Sequence, residues 1–210
     1  MKVCKFYLVR HGESVANRDN IVGGHFDSPL TEKGEEQARQ TKKLFANIHF
    51  DDAYSSDLLR ASQTGAIIYG KEVPAGHQLF DLRERNFGRL EGKSADEWMQ
   101  LNRNYENKYS QLPFEERTKY NYADFIESDK SVGDRFVKTL REIAQTHVNQ
   151  TVLIATHGGD IRVILMQLGY AQFLTAGSFA NAGYVELSCD GQNFHIQKVI
   201  GVDKSKANAE

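Results

Sequence analysis

The sequence predicts an α/β protein: a three-layer α/β/α sandwich with a mostly parallel central sheet and an inserted helical cap. Three observations predict it. Two short, almost continuously apolar runs, Val3–Val9 and Thr151–Thr156, suit central strands covered on both faces. Stretches with helical spacing alternate with the strand-like runs, the order that builds layered α/β domains. Both runs lead into a polar histidine–glycine step, Arg10-His11-Gly12 and His157-Gly158-Gly159. Open parallel sheets bind ligands beyond the C-terminal ends of their strands.

The elements follow in chain order. After the first strand, Thr31 caps a helix whose inward face is Ala38, Thr41, Leu44, Phe45 and Ile48. A short strand over Ala53–Ser56 precedes a helix with Leu58, Ala61, Gly65 and Ile68 on one side and Gly70 at its end. Ser94 and Glu97 have capping-box spacing ahead of Trp98, Leu101 and Tyr105. Ser131 and Asp134 repeat that signal loosely before a stripe of Phe136, Val137, Leu140, Ile143 and Ala144. Two late segments, Gly183–Cys189 and Phe194–Val199, flank Asp190-Gly191, a pair that favours a tight turn.

One domain over residues 1–210 is expected, with 92–130 as the cap and 201–210 as a flexible tail. Residues 103–130 hold Tyr105, Tyr109, Phe114, Tyr120, Tyr122 and Phe125 among polar groups, and Pro113 interrupts any long helix. Of the 210 residues, 40% are hydrophobic and 26% charged, the profile of a globular chain. Lys and Arg number 26 and Asp and Glu 28, a net charge of −2, which argues against a polybasic nucleic-acid binder. The beginning of the chain lacks signal-peptide character, and no run approaches the ~20 apolar residues of a membrane span. No nucleic acid, no membrane and a cytoplasmic setting are therefore expected, as a monomer or homodimer. Cys4 and Cys189 are too few and too far apart for a cysteine-rich metal site or a disulfide framework.

Five residues carry the chemistry: Arg10, His11, Arg60, Glu84 and His157. Singly each has an ordinary structural explanation. Gathered at one sheet edge, two arginines and two histidines suit a phosphoryl dianion, because a guanidinium matches phosphate oxygens bidentately. Gly12, Gly158 and Gly159 allow backbone N–H groups to approach the same oxygens. One imidazole can attack phosphorus while the others neutralise the equatorial oxygens. A nominal zinc site of His11, His157 and Glu84 is opposed by the adjoining Arg10, so no metal and no cofactor are expected. Val22-Gly23-Gly24-His25 is not a P-loop, since no Gly-Lys-Ser/Thr ending follows.

Arg10-His11-Gly12-Glu13-Ser14 with Asn17 resembles the signature of the histidine phosphatase superfamily, the phosphoglycerate mutase-like proteins. The segment Asp27–Thr31 with Gly34, Gln37 and Ala38 is similar to the stretch that follows in that family. Ser55–Ala61 with Gln63 and Thr64 resembles its second arginine region, Leu82–Gly88 with Glu91-Gly92 its acid–base region, and Thr156–Gly159 its second histidine. The blocks occur in order from residue 3 to about residue 165.

The resemblance implies a phosphohistidine on His11, with Arg10, Arg60 and His157 holding the phosphoryl oxygens and Asn17 as a further contact. Gly24 and Gly158 belong to the implied substrate-binding set. Glu84 is implied to protonate the leaving oxygen and then to deprotonate water, a role that depends on which way Arg83 and Arg85 point. The nucleophile needs its remote nitrogen hydrogen-bonded, to the Gly12 carbonyl or to a hydroxyl such as that of Ser56.

Glu84 and His157 are 73 positions apart, nearer the compact phosphatase branch, and the expected substrate is a small-molecule phosphate ester. The alternatives are a phosphoglycerate mutase, a phosphatase of a sugar bisphosphate or a cobalamin-pathway nucleotide, and a non-catalytic binding domain on the same scaffold. Lys108, Arg117, Lys119 and Lys130 are candidates for a second anionic group or simply solvated charges.

Overall fold

The computed structural model describes residues 2–109, 111–112, 116, 121–203 and 207–208, the last two by backbone alone. Its strands are β1 (Cys4–Arg10), β2 (Asp52–Ser56), β3 (Gln78–Leu79), β4 (Thr151–Thr156), β5 (Phe173–Leu174), β6 (Phe179–Cys189), β7 (Phe194–Val202) and β8 (Ala207–Asn208). Its helices are α1 (Val15–Arg18), α2 (Glu32–Leu44), α3 (Leu59–Tyr69), α4 (Asp96–Tyr109), α5 (Asp129–Thr146) and α6 (Gly158–Gln167). Six strands form one sheet in the order β3-β2-β4-β1-β6-β7. The first four are mutually parallel, and β6 and β7 extend the sheet as an antiparallel hairpin. The small strands β5 and β8 pair separately.

Alternation along β1 shows why its run is apolar throughout. Phe6 and Leu8 pack on one face with Phe136, Leu140, Ile161 and Ile164 of α5 and α6. Tyr7 and Val9 point to the other face, against Ala38 of α2, Ile68 of α3 and the neighbouring Phe45. Successive side chains thus serve two cores, and the three layers follow.

Several local devices match their sequence signals. Thr31 caps α2 by accepting from the Gly34 N–H at 3.0 Å. Gly70 ends α3 with φ +86°. Asp190 ties the hairpin turn, its Oδ1 accepting from the N–H groups of Gln192 and Asn193 at 2.9 and 2.8 Å. Cys4 and Cys189, remote in sequence, are cross-strand partners of β1 and β6; both are buried free thiols.

Other details differ. Leu44 is 66% exposed, because α2 ends there and the chain turns its next residue, Phe45, into the core instead. The Ser94–Glu97 box does not form: Glu97 pairs with Arg89, while the Ser94 hydroxyl donates to Asp96. Ser128, not Ser131, caps α5, accepting from the Ser131 N–H at 3.1 Å. In the described part of 92–130, Tyr105, Tyr109, Tyr122 and Ile126 form a separate cluster with Val22, Leu90 and Phe173. Pro113, Phe114, Arg117, Lys119 and Tyr120 lie outside the described residues.

Candidate active site

Parallel pairing sets the first relationship. Arg10 is the register partner of Thr156, so β1 and β4 end side by side and each delivers a histidine one residue later. The His11 N–H donates to the Thr156 carbonyl at 2.9 Å, and the two imidazole rings lie 5.1 Å apart between centroids. His11 Nδ1 is 2.7 Å from the Gly12 carbonyl. That contact places the ring proton on Nδ1 and leaves Nε2 with its lone pair. The Gly12 carbonyl, and not Ser56, therefore orients the ring; the Ser56 hydroxyl accepts from the Leu58 N–H. Gly12 itself sits so close to Gly34 that a Cβ there would lie 2.3 Å from the Gly34 carbonyl oxygen.

Both imidazoles are fully inside the protein. Burial, followed by Arg60 and Arg10, holds His11 well below the ordinary histidine value of 6.5. Burial and then Arg60 do the same to His157. Among the described residues neither ring nitrogen of His157 has a hydrogen-bond partner, nor does the buried Arg10 Nε. Buried polar groups are normally paired, so these atoms stand out at the ends of β1 and β4.

The arginines reach the site from different layers. Arg10 ends β1 and donates through Nη1 to the Phe179 carbonyl of β6. Arg60, in the first turn of α3, donates to the carbonyls of Phe26 and Gly24 at 3.1 and 2.7 Å. Gly24 has φ +55°, and a Cβ on it would lie 2.4 Å from Glu91 Oε1. Its role in the structure is thus to present a carbonyl to Arg60 from a turn that excludes larger residues.

Glu84 arrives from the irregular segment after β3. Its Oε2 accepts from the Gly159 N–H at the start of α6, 3.0 Å away, and its Oε1 from the Arg85 N–H at 2.8 Å. A helix N-terminus favours such a carboxylate. The two flanking arginines point elsewhere. Arg83 makes a bidentate pair with Asp57 at 2.6 and 2.7 Å, and Arg85 donates to Asp129 and the Glu127 carbonyl. Glu84 is therefore free of a direct guanidinium clamp from either neighbour.

Asn17 and Gly158 also line the cleft. Asn17 Oδ1 is engaged by Ser14 N–H and by Asn181 Nδ2, which leaves its amide nitrogen as donor. Seven of the eight predicted site residues line this cleft, and the eighth, His157, is fully buried behind it against the His11 ring. The inner part of the cleft, about 170 Å³, holds Arg10, His11, Asn17, Gly24, Arg60 and Glu84. An adjoining part of about 140 Å³ shares Arg10 and Glu84 and adds Gly158, Gly159, Arg85 and Arg162. The latter two arginines are site features that the sequence reading missed; Arg162 looks there like one more residue of an apolar helix. Lys130, in contrast, is exposed and pairs with Asp134, and Lys108 is exposed.

Other motif residues hold the loops. Gln37 and Gln63 carbonyls accept from the N–H groups of Glu13 and Leu30 at 2.8 and 2.9 Å, and Thr64 accepts from Gly12 N–H at 3.1 Å.

A parallel-sheet edge with paired imidazoles, guanidiniums and a carboxylate at a helix N-terminus defines a phosphoryl-transfer enzyme. Residues 6–200 match the histidine phosphatase superfamily (branch 1), and the chain belongs to that family. It is a phosphomonoesterase of the metal-independent histidine-phosphatase type. Among the described residues no cluster of three or more His, Cys, Asp or Glu could hold a metal ion.

The chain is 32% identical over 165 residues to the uncharacterized phosphatase PhoE of Bacillus subtilis, covering 77% of this chain and 75% of that protein. It is 32% identical over 184 residues to a metal-independent phosphoserine phosphatase of Arabidopsis thaliana, covering 86% and 74%. The crystal structure of a phosphoglycerate mutase from Bacillus anthracis superposes with a TM-score of 0.76 at 25% identity, over 94% of this chain and 92% of that one. No helix among the described residues is long and apolar enough to cross a membrane.

Proposed function

We propose that this protein hydrolyses small phosphomonoesters by two displacements at His11. Nε2 of His11 attacks phosphorus in line, a P–N bond forms and the ester P–O bond breaks. The departing oxygen takes a proton from Glu84. Water then attacks the phosphohistidine, gives a proton back to Glu84, and releases inorganic phosphate and a free His11. Arg10, Arg60 and His157 bind the equatorial oxygens, with Asn17 as an additional donor. The helical segment within 92–130 acts as the cap that roofs the leaving-group side.

The observation that carries this reading is the setting of His11: a buried ring tied through Nδ1 to the Gly12 carbonyl and facing His157, where burial and the nearby arginines push its pKa well below the ordinary value. A charged imidazole there would lack a lone pair and would repel the two guanidiniums. The test is a rapid-quench reaction with a ³²P-labelled monoester. An acid-labile, base-stable labelled protein is expected in the wild type and absent from His11→Ala, with turnover falling at least ~10³-fold. Near-wild-type turnover by a contaminant-free His11→Ala enzyme defeats the covalent route. Release of phosphate without interconversion of 2- and 3-phosphoglycerate separates phosphatase from mutase.

A further inference from the structure

Near its start, β6 breaks step with β7. Between the register pairs Phe179–Val202 and Tyr184–Ile200, β6 carries Ala180, Asn181, Ala182 and Gly183 where β7 has Gly201 alone. A bulge of this kind bends its strand and re-aims side chains. Within it Ala182 takes the left-handed conformation, with φ +56°, which is unfavourable for a residue that has a Cβ. Such strain persists only where the surroundings over-determine it. Here the Ala182 N–H donates to the His11 carbonyl at 3.2 Å, and its own carbonyl accepts from the Thr41 hydroxyl of α2 at 2.9 Å.

The bulge reaches three residues of the cleft. The Phe179 carbonyl receives Arg10, and the Ala182 N–H reaches His11. Asn181 Nδ2 donates to the His11 carbonyl at 3.1 Å and to Asn17 Oδ1 at 3.3 Å. Neither amide can be turned over without loss. A backbone carbonyl only accepts, so His11 fixes Asn181 with its nitrogen on that side. A backbone N–H only donates, so Ser14, at 3.2 Å, fixes Asn17 with its oxygen towards Ser14 and Asn181. Asn17 thereby keeps its amide nitrogen for the cleft that it lines with His11 and Arg60.

Resting on the phosphatase reading, we propose that Asn181 is a positioning residue that acts through Asn17. Hydrogen-bond polarity runs from the His11 carbonyl through Asn181 to Asn17, and it presents an N–H, not a carbonyl oxygen, to the phosphoryl anion. Asn17 is exposed, so water competes for its amide, and Ser14 alone holds it less firmly than Ser14 and Asn181 together. Without the Asn181 side chain the His11 carbonyl still accepts from Ala182, so the loss falls on Asn17. An ionised aspartate at 181 has no N–H to give. Its charge repels the His11 carbonyl and Asn17 Oδ1, and it favours the inverted amide.

A double-mutant cycle tests this, with Asn17→Ala, Asn181→Ala and the variant carrying both, and Asn181→Asp beside it. Each is read by kcat/KM for p-nitrophenyl phosphate, by vanadate affinity and by Tm. Asn17→Ala should lower kcat/KM and vanadate affinity by at least about tenfold, the scale of a hydrogen bond to a charged group. Asn181→Ala should lower both by about three- to tenfold, with Tm kept within about 3 °C. The doubly substituted enzyme should match Asn17→Ala within about twofold, since residues that act through one another do not add. Asn181→Asp should fall below Asn181→Ala in both readouts. Losses that multiply in the double variant overturn the proposal, as does an Asn181→Asp enzyme that binds vanadate like the wild type. A Tm lowered by more than about 6 °C in Asn181→Ala, with vanadate affinity unchanged, assigns Asn181 to structure and overturns it too. In each of these cases a wild type that hydrolyses the ester and labels His11 leaves the catalytic reading standing. No hydrolysis, no vanadate binding and no labelled His11 defeats that reading itself, and this proposal with it.

Discussion

His11 and His157 meet edge to face, 5.1 Å between ring centroids at an interplanar angle of 62°. Two imidazoles this close cannot both be protonated beside Arg10 and Arg60, and burial already favours their neutral forms. The arrangement favours two neutral rings, as the nucleophilic role proposed for His11 requires. Among the described residues the two nitrogens of His157 have no hydrogen-bond partner.

Neutral burial has a measurable consequence for stability. Both histidines have folded pKa values well below the ordinary 6.5. Between those values and 6.5 the unfolded chain binds protons that the folded chain refuses. Stability contributed by the neutral rings is therefore full above pH 6.5 and declines as pH falls below it. Each histidine adds at most about 1.4 kcal/mol per pH unit to the slope. Urea titrations of wild type and His157→Asn between pH 7 and 5 should show a shallower acid-side decline in the variant. Equal slopes would mean that His157 titrates normally in the folded protein.

The second prediction concerns Gly159. A Cβ at that position would lie 1.9 Å from Glu84 Oε1, so alanine must drive the carboxylate off the α6 N-terminus. Loss of a positioned proton donor typically costs ~10²–10⁴-fold in rate. Gly159→Ala should lower kcat by about 100-fold or more. Vanadate affinity should fall by less than kcat, because the variant displaces the proton donor and leaves Arg10 and Arg60 in place. A kcat within threefold of wild type would show that Glu84 works from another position.

Much of this geometry was legible in the chain, for identifiable reasons. β1 and β4 announce themselves because both their faces are buried, and their ends place His11 and His157 together without further information. Asp190-Gly191 marks its turn because few other pairs accept Gly191's φ of +99°. What escaped depends on contacts between distant segments. Leu44 and Phe45 adjoin, and only the actual end of α2 decides which turns inward. Glu97 fits a capping box by spacing but has Arg89 in reach. Arg162 sits in a helix whose neighbours Ile161, Val163 and Ile164 are core, and its partners Tyr122, Asp129 and Leu174 come from three other regions. Spacing rules see one element at a time.

Glu127 provides the third test, as a positioning residue for the acid segment. Its carboxylate accepts from Asn86 N–H at 3.0 Å, Ser131 Oγ at 3.0 Å and Arg135 at 2.8 and 3.1 Å. Its own N–H donates to the Asn86 carbonyl, so residues 84–88 are clamped to the start of α5. Glu127→Ala removes the side-chain half of that clamp and leaves Arg135 with Asp160 and the Asp81 carbonyl, costing about 1–3 kcal/mol of stability. A kcat loss of about tenfold with little change in KM is expected, since misplacement acts on the transition state. Glu127→Gln keeps one oxygen to accept from Asn86 N–H, with its amide nitrogen turned to the Ser131 hydroxyl as a donor, and should recover most of kcat but not the stability. If both variants lose kcat and KM equally, the clamp idea is wrong.

Arg60 separates geometry from charge. It is almost fully buried, and its two terminal nitrogens hold the carbonyls of Phe26 and Gly24 while it lines the cleft beside His11. Lysine keeps the positive charge but concentrates it on one nitrogen, which cannot span two carbonyls and two phosphoryl oxygens together. Arg60→Lys should therefore raise KM and weaken vanadate binding by at least about tenfold, close to the loss in Arg60→Met. The turn over residues 23–26 would lose its anchor in both variants, which limited proteolysis can report. Should lysine restore vanadate affinity to within about threefold of wild type, a point charge suffices there and bidentate recognition by Arg60 is refuted.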